Sequence, residues 1–145
     1  MKAKPTWDFC SVCDINLEWL QSECIKAILL DVDGTLVPED CIDIPSEIRK
    51  WIWKMKDANI ALCLISNAKR SRVKKVAKKL GIPFISRAEK PSSLGIRAAI
   101  DLLQLCKDST IMVGDSKDDI IAATCAEIRS IRVDEMDDEW KYNPY

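Results

Sequence analysis

An α/β architecture, a central parallel sheet with helices on both faces, is what this sequence predicts, and three observations predict it. Short apolar runs alternate with segments of helical period, the pattern of repeated βαβ units. Several of those runs stop at polar or turn-forming residues, as buried parallel strands do when they reach the sheet edge. The chain has 145 residues, 48% hydrophobic and 31% charged, enough for one core and one domain spanning 1–145.

The elements follow in order. Residues 26–31 (KAILLD) read as a buried strand, followed by turn-rich sequence through Gly34, Pro38 and Pro45. Residues 46–58 read as a helix with Ile48, Ile52 and Met55 on one face, and 60–65 (IALCLI) as a strand ending at Ser66-Asn67. A helix over 68–80 turns Val73, Val76, Ala77 and Leu80 inward and stops at Gly81. Phe84-Ile85 is a short strand, and 91–106 a helix with proline at its first turn. Residues 110–113 form a strand ending in Gly114-Asp115, 116–126 a helix and 128–133 the last strand. The first 24 residues and an acidic tail (Asp134, Glu135, Asp137, Asp138, Glu139) read as extensions of a core at about 25–134, the tail solvated.

Composition removes several function classes. There is no histidine, hence no Ser-His or Cys-His nucleophile, no histidine metal ligand and no imidazole base. A net charge of −1 gives no basis for a general nucleic-acid binder, so no nucleic-acid partner is expected. Seven scattered cysteines predict free thiols in a reducing compartment; Cys10 and Cys13 have CxxC spacing, but no second pair completes a metal site. The first residues lack a signal peptide's apolar core, and no run approaches a membrane span. The expected location is the cytoplasm or an organelle interior, peripheral on a membrane at most, and not secreted.

In a sheet of this type ligands bind beyond the carboxyl ends of the strands. The polar residues there are Asp31 and Asp33 after the first run, Ser66 after the second, and Asp115 with Asp119 after the fourth, with Lys90 opening the third helix. Two unit charges 4 Å apart repel by about 4 kcal/mol at an effective dielectric of 20, so a carboxylate cluster suits a hard cation. Oxygen-only ligands favour Mg²⁺ over zinc or copper. Each residue also has a plainer reading: Asp33-Gly34 as a turn, Ser66-Asn67 as a helix cap, Ser116 to Asp119 as a capping pattern, and Lys90 as a surface lysine.

The string Asp31-Val32-Asp33-Gly34-Thr35-Leu36 resembles the DxDGT[LV] signature of the haloacid dehalogenase (HAD) superfamily. Ser66, Lys90-Pro91 and Gly114-Asp115-Ser116-Lys117-Asp118-Asp119 resemble its second, third and fourth motifs, in the family's order. The stretch 81–91 (GIPFISRAEKP), the lead-in 12–20 and the small size resemble the YqeG-type branch of class IIIA HAD phosphatases, which includes phosphatidylglycerophosphate phosphatases. Two positions depart from that branch: it often has Asn where Gly34 stands and an amide where Ser116 stands, although Gly34 is common across the superfamily.

The resemblance implies a Rossmann-like HAD fold and a Mg²⁺-dependent phosphomonoester hydrolase. In it Asp31 is the nucleophile that becomes an aspartyl-phosphate, and Asp33 exchanges the proton with leaving group and water. The metal sits on the Asp31 carboxylate, the Asp33 carbonyl and Asp115, and Asp119 holds its water shell or orients Lys90. Ser66, Asn67 and Lys90 bind the phosphoryl group, and backbone N–H groups of 32–34 complete the cradle. Many relatives carry a cap domain over the site. Only 29 residues separate Leu36 from Ser66, which leaves no room for one, so the site should be open to large substrates: phosphoproteins, nucleic-acid ends or phosphorylated lipid headgroups. Two further features bear on membrane contact. Seven of the eleven residues from Lys69 to Lys79 are Lys or Arg, which suits a peripheral contact with anionic lipid or a solvated helix face. Trp51 and Trp53 suit a membrane interface or, with more weight, core or partner packing. A receiver domain that is phosphorylated on Asp is discounted because the DxDGT string follows the first strand. A non-catalytic phosphate-binding scaffold is disfavoured because no motif is disabled.

Overall fold

The computed structural model describes residues 2–137. Six strands, β1 (Trp7–Phe9), β2 (Ala27–Leu30), β3 (Ala61–Ile65), β4 (Phe84–Ile85), β5 (Thr110–Gly114) and β6 (Arg129–Val133), form one parallel sheet in the order β1-β6-β5-β2-β3-β4. The α/β parallel-sheet architecture is therefore as expected. Between the strands lie α2 (Ser46–Asp57), α3 (Arg70–Leu80), α4 (Leu94–Leu102) and α5 (Lys117–Cys125), and a short α1 (Leu17–Ser22) precedes β2.

Strand alternation divides the core in two. Ile28, Leu30, Leu62, Leu64, Ile111 and Val113 face α2 and α3, whose Ile48, Ile52, Met55, Val73, Val76 and Leu80 complete that cluster. Leu29, Cys63, Ile65 and Met112 face the opposite layer, built from Ile96, Ala99 and Ile100 of α4 and Ala122 and Ala123 of α5. Every residue of β2 is buried, as expected of a central strand covered on both faces. Each large side chain so buried contributes roughly 1.5–3 kcal/mol. Burial also pushes the Cys63 thiol up to about 12, so it is an inert core residue.

The chain leaves β2 toward β3 and β4 on one side and returns to β5 and β6 on the other. The topological switch thus falls between β2 and β5, with Leu30 level with both Val113 and Leu64. Asp31, Asp115 and Ser66 emerge together beyond that line, where such sheets bind ligands.

The structure corrects the reading at several places. The first 24 residues contain an edge strand, β1, in register with β6 (Trp7↔Ile131, Phe9↔Val133), and Val12, Ile15 and Leu20 behind it are fully buried. Three residues are too few for a period, and only the exposed edge of β6 recruits them. The acidic tail is not simply solvated: Met136 is buried and its N–H donates to the Gly34 carbonyl at 2.7 Å. Asp138 and Glu139 lie outside the described residues. Helix α4 is shorter than expected, because the first turn is taken by Ser92 and Ser93 and Gln104 adopts a left-handed φ of 52° that ends it. Trp51 is a core residue whose indole N–H donates to the Ile15 carbonyl at 2.8 Å, while Trp53 is exposed with Lys56 over its ring. Among the described residues no helix is long and apolar enough to cross a membrane.

Candidate active site

A cleft of about 550 Å³ opens beyond β2, β3 and β5, lined by Asp31, Asp33, Ser66, Asn67, Lys90, Asp115 and Asp119, with Glu39, Lys117, Arg132 and Glu135 also contributing. The residues between Leu36 and Ser66 form a loop, α2 and β3, and those between Ser66 and Lys90 form α3 and β4, so no inserted domain covers it.

Asp31 is fixed through its backbone, its N–H donating to the Val113 carbonyl at 2.9 Å. Its carboxylate accepts from Lys90 Nζ at 2.7 Å on Oδ1 and from the Thr35 hydroxyl at 3.1 Å on Oδ2. The same hydroxyl lies 3.2 Å from Asp115 Oδ1, so its one proton is within reach of either carboxylate. Two glycines make room. Gly34 has a φ of +79°, and a Cβ there would sit 2.3 Å from Asp115 Oδ2; a Cβ on Gly114 would sit 2.2 Å from Asp119 Oδ2. Both carboxylates rest against bare backbone that no other residue type provides.

Lys90 is buried, not a surface lysine, and all three of its ammonium donors are used: on Asp31 Oδ1, on the Ile65 carbonyl at 2.8 Å and on Asp119 Oδ1 at 2.6 Å. Asn67 holds its main chain from both ends, Nδ2 donating to the Lys90 carbonyl and Oδ1 accepting from the Lys90 N–H. Asn67 therefore braces Lys90 and lines the cleft beside it. The Ser66 hydroxyl accepts from Ala68 N–H at 3.0 Å in a local turn, and the cap of α3 is Lys69 instead. Asp119 does two jobs at once. Oδ1 accepts from Lys90, while Oδ2 accepts from the Ser116 N–H and hydroxyl in a capping box that starts α5. The expected backbone cradle is partly spent, because Gly34 N–H donates to the Val37 carbonyl at 2.7 Å.

Asp33 stands apart from this buried group. Its carboxylate takes a two-pronged contact from Arg72 of α3, and Oδ1 also accepts the Asp40 N–H at 3.0 Å. Arg72 Nε is buried and without a hydrogen-bond partner, a desolvation cost of about 1–3 kcal/mol that the fork on Asp33 offsets.

The electrostatics follow from burial. The Asp31 carboxyl is pushed up from 3.8 to about 7 by desolvation, against the pull of Lys90 and with help from neighbouring Asp115. Asp119 is raised by burial and by the charge of Asp31. Lys90 is pulled down by burial, yet Asp31 and Asp119 outweigh that and hold it above its ordinary value. Oxygens of Asp31, Asp115 and Asp119 all lie within 4.8 Å of one another. Counted ionised, three carboxylates and one ammonium leave two negative charges, which a divalent cation would neutralise with the hard oxygen donors it prefers. The donor set fits such an ion, with the carboxylate of Asp33 outside it.

Thr35 and Arg72 carry no signal of their own in the sequence. Thr35 lies inside the DxDGT string; Arg72 is one basic residue among seven, and only the fold shows that it faces Asp33.

The sequence model of the Haloacid dehalogenase-like hydrolase family matches residues 39–133. This chain belongs to that family. It is 32% identical over 105 residues to "Probable phosphatase YqeG" of Bacillus subtilis (strain 168), an alignment that covers 72% of this chain and 61% of that protein. The chain thus spans about three fifths of the relative's length. The fold is shared with the cobalt-bound deoxy-D-mannose-octulosonate 8-phosphate phosphatase of Haemophilus influenzae (TM-score 0.63, 17% identity, 78% of this chain and 80% of that one). It is shared too with the 3-deoxy-D-manno-octulosonate 8-phosphate phosphatase of Moraxella catarrhalis, solved with magnesium and phosphate ions and KDO (TM-score 0.55, 19% identity, 69% and 64%).

Proposed function

We propose that this HAD-family chain hydrolyses phosphomonoesters, with Asp31 as the nucleophile. The observation that carries the reading is the buried Asp31 carboxylate at a strand end, facing a cleft and braced by Lys90 and Thr35 beside Asp115 and Asp119. The relative described as a phosphatase, and the phosphatases that share the fold, support it.

Asp31 attacks phosphorus as the ester P–O bond breaks, and Asp33 gives its proton to the leaving oxygen. Asp33 then takes a proton from the water whose oxygen attacks the aspartyl-phosphate, releasing phosphate and restoring Asp31. Lys90 holds positive charge beside the phosphoryl oxygens, Asp119 and Asn67 hold Lys90 in place, and the Ser66 hydroxyl offers a further donor. Asp31, Asp115 and the Asp33 carbonyl, with Asp119 nearby, would hold Mg²⁺, which would offset the repulsion between nucleophile and substrate.

The substrate we favour is a phosphorylated lipid headgroup of the phosphatidylglycerophosphate kind, on the resemblance to the class IIIA branch and on a cleft that no cap closes. Lys74, Lys75 and Lys78 are exposed on α3 and suit contact with an anionic bilayer, whereas Arg72 and Lys79 are turned to the loop before α2. The test is turnover of a panel of phosphorylated lipids, sugars, nucleotides and peptides with Mg²⁺, beside Asp31→Asn. Turnover by the parent alone, lost on chelation, supports the reading; equal turnover by both proteins overturns it.

A further inference from the structure

The contact between Arg72 and Asp33 is more specific than a surface ion pair. Nη1 donates to Asp33 Oδ2 at 2.7 Å, and Nη2 donates both to Asp33 Oδ1 and to the Cys41 carbonyl, the latter at 2.8 Å. Two turns further along α3, Lys79 Nζ donates to the Ile42 carbonyl at 3.1 Å. One face of α3 therefore grips the loop that follows Asp33 at two points, and the upper point includes Asp33 itself.

The hydrogen bonds distinguish the two oxygens. Oδ1 accepts from Arg72 and from the Asp40 N–H, which uses both of its lone pairs. Among the described residues Oδ2 accepts from Arg72 alone and keeps one lone pair, on a residue that lines the cleft. A guanidinium fork fixes the plane of a carboxylate, which a lysine ammonium does not.

We propose that Arg72 is the positioning residue of Asp33, holding its carboxylate so that Oδ2 is the atom that gives and takes the proton. The proposal rests on the reading of Asp33 as the acid and base of a phosphomonoesterase. In the first step Oδ2–H passes its proton to the ester oxygen as that oxygen leaves phosphorus and Asp31 bonds to it. In the second step Oδ2 receives a proton from water as the water oxygen bonds to phosphorus and the Asp31–phosphorus bond breaks.

A poor leaving group needs the proton and a good one scarcely does, so the test compares glycerol phosphate with 4-nitrophenyl phosphate. Arg72→Gln should lower kcat on glycerol phosphate by about 10–100-fold, part of the 10²- to 10⁴-fold that a placed acid supplies, and on 4-nitrophenyl phosphate only a few-fold. KM should stay within about twofold, Arg72→Lys should recover only part of the loss, and Arg72→Gln should add nothing in an Asp33→Asn background. Thermal unfolding accompanies each variant, and if Arg72→Gln does not fold, Arg72→Lys carries the comparison. Equal losses on both esters, or a full further loss on top of Asp33→Asn, would overturn the positioning role. If Asp33→Asn discriminates between the esters and neither Arg72 variant does, this inference alone fails. If the parent hydrolyses neither ester, or Asp33→Asn does not discriminate, the proposed function fails with it.

Discussion

Two acid–cation groups contribute carboxylates to one cleft, and they are built on opposite principles. Asp31, Lys90 and Asp119 are buried, with every ammonium donor used, so their charges interact in a medium that screens them little. Asp33 and Arg72 are partly exposed, tie a loop to a helix, and are screened by water. Burying three charged groups is expensive, and a fold keeps such a cluster where chemistry needs it. The outer pair should weigh less on stability than the inner group, and its value should appear in orientation. The inner group should therefore dominate stability and its response to pH.

The largest effect expected in stability is that of Lys90→Met. It leaves two buried carboxylates without their cation, which should cost about 3–5 kcal/mol in urea unfolding at pH 7 without metal. Lowering the pH should recover part of it, because both carboxyl groups then neutralise. A loss under about 1 kcal/mol would mean that the inner group is no tighter than the outer one.

Asp31→Asn sharpens the comparison through pH. The folded-state value of Asp31 lies above its ordinary one, near 7 against 3.8, so the folded protein binds this proton more tightly than the unfolded chain. Its contribution to stability is complete below about pH 3.8 and is lost as pH rises through about 7. In chelator, Asp31→Asn should therefore gain stability relative to the parent between pH 5 and pH 8, by on the order of a few kcal/mol. A difference in thermal midpoint that stays flat over that range contradicts the buried-charge account.

The smallest effect should come from Thr35→Val, which removes the hydroxyl and keeps the shape. About 1 kcal/mol of stability should be lost, most of it above pH 7, where Asp31 is ionised. Equilibrium unfolding at pH 5 and pH 8 measures it, and an equal loss at both would show that Thr35 only packs.

Legibility followed the same division. Asp31, and with it Ser66 and Asp115, could be read from the chain because each ends an apolar strand run, and ligands collect at that edge. Asp119 could be read two ways, as cap or as partner of Lys90, and its two oxygens satisfy both. The outer pair could not be read. Arg72 and Asp33 are 39 residues apart, and nothing in a run of basic residues says which one turns inward. Edge strand β1 and the buried Met136 escaped for a related reason, since each takes its place from a partner distant in sequence rather than from its own period.

The central claim is that Asp31 carries the phosphoryl group, and capture of that intermediate tests it most directly. Protein turning over 4-nitrophenyl phosphate with Mg²⁺ is quenched and treated with borohydride, which reduces an acyl phosphate to the alcohol, and its peptides are weighed. Reduction of residue 31 to homoserine, absent without substrate and absent from Asp31→Asn, is the predicted result. Sustained turnover with residue 31 unmodified, or reduction found at Asp33 or Asp115 instead, would contradict it.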